Sequence, residues 1–229
     1  MSIRRQSVLS ALGSGLLAAV VGSVAWPAPA PVTPGASNVA IPTFSGSTPM
    51  VSVLFDTGPQ TDTAGGVTVN FEEVAVLTSL NPTGVSFGFM ITASNAPTSL
   101  GASLPGFGGF MTGVEACDPF TSGPAVCGTA TGTASRSSGS GDVLTFAALG
   151  TTPVMVPSGP TLNASNLYGI FTDASGFMHP TMVTVTDDGT SFSFKGIGAT
   201  SSTSVPEPAT LALFGMGLLG LGLQRRRRA

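Results

Sequence analysis

Apolar side chains recur at every second position over much of this chain, and a two-residue period fits only extended strands that bury one face. The longest run is Val85, Phe87, Phe89 and Ile91, with Ser86, Gly88 and Met90 on the opposite face. Val51, Val53 and Phe55 alternate in the same way, as do Val67, Val69 and Phe71. Leu144 with Phe146, and Tyr168, Ile170 and Phe171, mark two more strands. Val183 and Val185 face Phe192 and Phe194 across Asp187-Asp188-Gly189-Thr190, and Asp-Gly suits the positive φ angles of a tight hairpin turn. Asn81-Pro82-Thr83-Gly84 and Ser158-Gly159-Pro160 read as further turns, and Gly128 to Gly141 as a long flexible loop. Alternating strands must cover one face with a second sheet. The expected fold is therefore all-β, a single antiparallel β-sandwich over residues 50–200. No internal repeat is evident, which counts against a β-solenoid.

The two ends have a different character. Arg4 and Arg5 precede an apolar stretch from Val8 to Val24, the pattern of a secretory signal peptide. Two small-x-small cleavage sites compete, Ser23-Val24-Ala25 before Trp26 and Ala28-Pro29-Ala30 before Pro31. Proline directly after the bond hinders the peptidase, so the signal helix is assigned to residues 1–25. Gln6-Ser7-Val8 is a poor continuation of a twin-arginine signal, which makes Sec the expected route. Residues 26–49, rich in proline and small side chains, read as a lead-in.

At the other end Val205-Pro206-Glu207-Pro208 precedes an apolar run from Leu211 to Leu223, then Arg225, Arg226, Arg227 and Arg228. As a transmembrane helix these 13 apolar residues cover about 20 Å. The hydrocarbon core is ~30 Å thick, so flanking residues must lengthen the span and the arginines must snorkel. An arginine at the bilayer centre costs roughly 2.5–3.5 kcal/mol, and four together hold this terminus on the cytoplasmic side. Gly215-Met216-Gly217-Leu218-Leu219-Gly220 matches a dinucleotide fingerprint as text only, because no strand precedes it and no βαβ unit follows.

A short motif, an apolar helix and a basic cluster in this order resemble the PEP-CTERM sorting signal of Gram-negative bacteria, here over residues 205–229 with 201–204 as linker. The resemblance implies export and cutting by a membrane-embedded exosortase. It makes Val205, Pro206, Glu207 and Pro208 the sorting motif and Arg225 to Arg228 the membrane stop. Signal peptidase and exosortase are then the partners during export, and the tail holds the precursor in the inner membrane. The product is expected in the periplasm, at the cell surface or in the extracellular polysaccharide matrix of a biofilm. Tails of this type have also been labelled after ice-binding proteins. Thr184/Thr186 and Thr131/Thr133 do not form the flat threonine ladder that ice binding calls for.

Between Pro31 and Ser204 the only basic residues are Arg136 and Lys195, against 10 acids. So acidic a domain lacks the basic patch that nucleic acid or anionic lipid needs. Cys117 and Cys127 are the 2 cysteines. In an oxidising compartment they are expected to form a disulfide, worth roughly 2–3 kcal/mol on the chain-entropy model.

Few residues suggest chemistry. Asp56-Thr57-Gly58 after Val53-Leu54-Phe55 matches the D-T-G of aspartic proteases, whose mechanism needs two carboxylates sharing a proton. No second copy is present, since Thr172-Asp173-Ala174-Ser175-Gly176 is one residue too long, and Asp-Thr-Gly-Pro is an ordinary turn. His179, the sole histidine, lies between Met178 and Pro180 and has no evident nucleophile beside it. Asp173 with Ser175, or Asp187 with Asp188, offer oxygens to calcium but lack the EF-hand spacing. Phe107 and Phe110 are candidate stacking rings for a glycan. The expectation is a non-enzymatic, cofactor-free structural, adhesive or matrix-binding protein. A secreted aspartic-type hydrolase using Asp56 and a glycan-binding module are the alternatives.

Overall fold

The computed structural model describes residues 29–43, 51–117, 131–155 and 161–201. Among the described residues there are 15 strands and no helix, in two antiparallel sheets of 9 and 6 strands. The larger is built on β5 (Val67–Thr78) and β6 (Asn81–Ala93), the longest hairpin of that sheet. The far edge of β5 takes both β3 (Val51–Asp56) and β4 (Gln60–Ala64). Beyond β6, β13 (Leu167–Thr172) leads to β8 (Thr112–Cys117) and β1 (Ala30–Pro31). Further along β6, β12 (Leu162–Ser165) leads to β11 (Thr151–Val154). The second sheet runs in the order β15 (Thr190–Thr200), β14 (Gly176–Asp187), β7 (Leu100–Leu104), β10 (Leu144–Ala147), β9 (Thr133–Arg136) and β2 (Val39–Ala40).

Alternation puts the rings of both sheets into one core. Phe71, Phe87, Phe89, Tyr168, Phe146 and Phe192 are all at most 1 % exposed. Phe71 of β5 stacks on Phe194 of β15 at 5.5 Å between ring centroids. Phe89 of β6 meets Phe146 of β10 edge-on at 4.9 Å and 72°. These pairs join the sheets face to face in a sandwich-like arrangement, and each buried large apolar side chain contributes about 1.5–3 kcal/mol. One corner is closed by polar groups instead. Gln60 Nε2 donates to Lys195 O at 2.6 Å and Gln60 Oε1 accepts from Lys195 N at 2.9 Å, so a side chain of β4 occupies the edge of β15. An edge occupied in this way offers less to a second chain.

The hairpin expected around Asp188-Gly189 forms as read: Val183 pairs with Phe194, Val185 with Phe192, and φ is 46° at Asp188 and 85° at Gly189. Other expectations shift. The turn read at residues 81–84 lies earlier, because Thr78 pairs with Asn81 and leaves Ser79-Leu80 at the tip. Asn81 Nδ2 donates to Thr172 O at 2.7 Å, which holds the start of β6 against β13. Part of the segment read as a loop from Gly128 is β9, and part of the lead-in is β1 and β2, with Val32 and Ile41 buried. Val53 and Leu54 are 44 % and 40 % exposed because a bulge between Val53 and Phe55 breaks their alternation. The signal helix, the C-terminal helix and the turn at Ser158-Gly159-Pro160 fall outside the described residues.

Candidate functional site

Acidic residues gather where β3 turns away from β5. Asp56 ends β3, and its Oδ1 accepts from Gly58 N at 2.7 Å, a side-chain-closed turn of the kind Asp favours. Thr57 fixes that turn to β5: its N donates to Glu73 O at 3.0 Å, and its Oγ1 accepts from Glu73 N at 3.0 Å. The D-T-G stretch is thus a hydrogen-bonded turn. A carboxylate nevertheless stands near it. Glu72 is half-buried, and its pKa is raised first by burial and then by the charge of Asp56.

Glu73 points the other way, into the core. It is 0 % exposed, Oε2 accepts from Ile197 N at 2.9 Å, and Oε1 has no partner. Burial pushes its pKa up to about 8, with the Ile197 N–H bond pulling weakly back. Thr181 Oγ1, also buried and without a partner, lies on the same side of Gly196 as Glu73 Oε2. The inward phase of Val69, Phe71 and Ala75 includes position 73, so this buried acid was legible in the pattern.

His179 Nδ1 lies 2.9 Å from Gly196 O, and its ring packs on Phe55 at 4.7 Å. Among the described residues no serine or cysteine is hydrogen-bonded to its ring. Asp188 Oδ1 accepts from Thr98 N, Thr98 Oγ1 and Ser99 N at 2.7–2.9 Å, and these bonds lower its pKa. Asp173 Oδ1 accepts from Met111 N at 2.8 Å, and Ser175 Oγ donates to Ser201 O at 2.8 Å. These oxygens serve the fold, and among the described residues no three His, Cys, Asp or Glu side chains gather as a metal cage. Phe107 is 0 % exposed and meets Phe87 edge-on at 5.3 Å, so it cannot stack on a sugar. Phe110 packs against the core beside it.

In the sequence Arg136 stands out only as one of two cations between Pro31 and Ser204. It is 4 % exposed, and all five of its N–H donors are used. Nε donates to Gly141 O, Nη1 to Val32 O and Thr112 Oγ1, and Nη2 to Phe107 O and Phe110 O, at 2.6–3.1 Å. One side chain therefore ties β9 to the ends of β1 and β8 and to the loop carrying Phe107. Cys117 closes β8 and is not a free thiol; Cys127 lies outside the described residues. Val205 to Pro208 and Arg225 to Arg228 lie outside them as well.

Their sequence is decisive all the same, because residues 204–228 match the PEP-CTERM protein-sorting motif. The chain carries a PEP-CTERM sorting tail. It is accordingly an exosortase-dependent exported protein, anchored in the membrane before processing. No curated protein and no solved structure matches the chain. The PEP-CTERM tail thus says how the β domain travels, and the domain's own chemistry must say the rest.

Proposed function

We propose that the exported domain is a non-enzymatic surface or matrix protein with a structural, adhesive or matrix-binding role. The observation that carries this reading is a sorting tail attached to a strand-rich domain whose polar groups brace turns and edges. Asp56, Asp173 and Asp188 each accept backbone N–H bonds within the domain. The surface supports the same reading. Arg136 is buried, so Lys195 is the one accessible basic side chain among the described residues, and an acidic exterior disfavours nucleic acid. A Cys117–Cys127 bond suits life outside the cytoplasm.

One observation favours the hydrolase as a second reading: Glu72, with its raised pKa, beside Asp56. The two readings separate in one experiment. The exported, processed protein and its Asp56→Asn and Glu72→Gln variants are assayed for peptidase activity and for retention on extracellular polysaccharide and cell envelopes. Retention without turnover, unchanged in both variants, is expected. Turnover abolished by either substitution would replace this reading with the hydrolase.

A further inference from the structure

An open groove of about 290 Å³ lies on the outer face of the larger sheet. Pro29 and Pro31 wall one side, Leu80, Met111 and Phe171 line it, and Asp173 adds a carboxylate. Its size falls at the lower limit of small-ligand sites, which run from roughly 300 to 1,000 Å³. That suits a single large ring. Proline rings, a phenyl ring and a thioether are surfaces on which an indole packs well. Met111 is left 73 % exposed.

The path of the chain supplies the ring. Gly113 pairs with Phe171 across β8 and β13, so the two share a face of the sheet. A Cβ at Gly113 would stand 2.9 Å from Pro29 Cβ, closer than real contacts allow, so the glycine lets Pro29 lie directly on β8. Pro29 is therefore already over the outer face, at the wall of the groove. Trp26 precedes it by three residues, a reach of at most about 10 Å. If signal peptidase cuts after Ala25, residue 26 also gains an α-ammonium group, the charge complementary to Asp173.

We propose that the groove is the docking site of the mature N-terminus, with the indole of Trp26 as its occupant. The inference rests on the export that the proposed function assumes and on cleavage after Ala25. Cleavage then strengthens the docking, because in the precursor residue 26 is an uncharged link in the chain and offers Asp173 no ammonium. Docking after removal of the signal would lay the chain ahead of β1 on the outer face of the sheet and cover Met111.

Trp26 is the only tryptophan, so intrinsic fluorescence reads its environment directly. The processed protein is purified from an exosortase-bearing host, and its N-terminus is fixed by intact mass and N-terminal sequencing. The expected result is an N-terminus at Trp26 and a blue-shifted emission quenched several-fold less by acrylamide than in denaturant. Met111→Asp, at an exposed position, and Phe171→Ser should each move the emission red while the far-ultraviolet circular dichroism keeps its strand signature. Solvent-like emission from a protein that begins at Trp26 would overturn the docking alone. An N-terminus at Pro31 would overturn it through its premise. A blue shift that fades on dilution would instead assign the groove to a second copy of the chain, and one that ignores both substitutions would place the indole elsewhere.

Discussion

Glu73 is an acid in an aromatic core, with one carboxylate oxygen on Ile197 N and the other without a partner. Its folded-state pKa, about 8, lies above the 4.5 of an unburied glutamate. The folded protein therefore holds a proton that the unfolded chain releases. This contribution is fully present below pH 4.5 and is lost as pH rises toward 8. The difference corresponds to at most about 5 kcal/mol. Glu115, whose pKa burial raises to about 7, adds to the same slope. Thermal denaturation between pH 5 and pH 8 is expected to show the melting temperature falling, and Glu73→Gln should flatten most of the fall. The amide oxygen of Gln can keep the Ile197 bond without a charge to bury. Arg136 poses the opposite problem, a buried donor that many acceptors depend on. Arg136→Met should destabilise by at least ~3 kcal/mol, since each buried acceptor left without a donor costs about 1–3 kcal/mol. Urea unfolding measures it.

Among the elements, the β14–β15 hairpin was the most legible, because local turn chemistry and two-residue alternation specify the same register. Asp188 and Gly189 both have positive φ, where an alanine pays roughly 1–2 kcal/mol in steric strain. Gly189→Ala is expected to cost about that much in equilibrium unfolding, and an unchanged midpoint would contradict the turn geometry. The strand at Val85–Ile91 was legible for the same reason, and all four of its alternating apolar residues are buried. What stayed hidden depends on contacts distant in sequence. The start of β6 is held by Asn81 on Thr172, 91 residues away. β9 carries Arg136, whose partners reach 104 residues back, to Val32. No local pattern announces such bonds, so this stretch read as loop. Glu73 was legible in phase but obscured by its charge, and the groove requires Pro29, Met111 and Phe171 from three separate strands or loops. At the end of β8, Cys117 is expected to be linked to Cys127, and a cross-linked peptide in non-reducing mass spectrometry would show it. Quantitative alkylation of both thiols in exported protein would refute it.

For the molecule as a whole, the tail and the β domain carry separate instructions. The domain buries most of the aromatic rings among its described residues, occupies one sheet edge with Gln60, and keeps a sparse, acidic surface, all compatible with existence outside the cytoplasm. The PEP-CTERM motif at 204–228 marks it for export. The most direct test is the size and location of the protein in fractionated cells with and without exosortase. The account predicts a shortened product outside the inner membrane when exosortase is present, and a full-length tail retained in the inner membrane when it is absent. Replacing Pro206 and Glu207 with Ala should reproduce the retained form even with exosortase present. Identical, fully processed protein in both strains would contradict the claim that this tail governs where the protein goes.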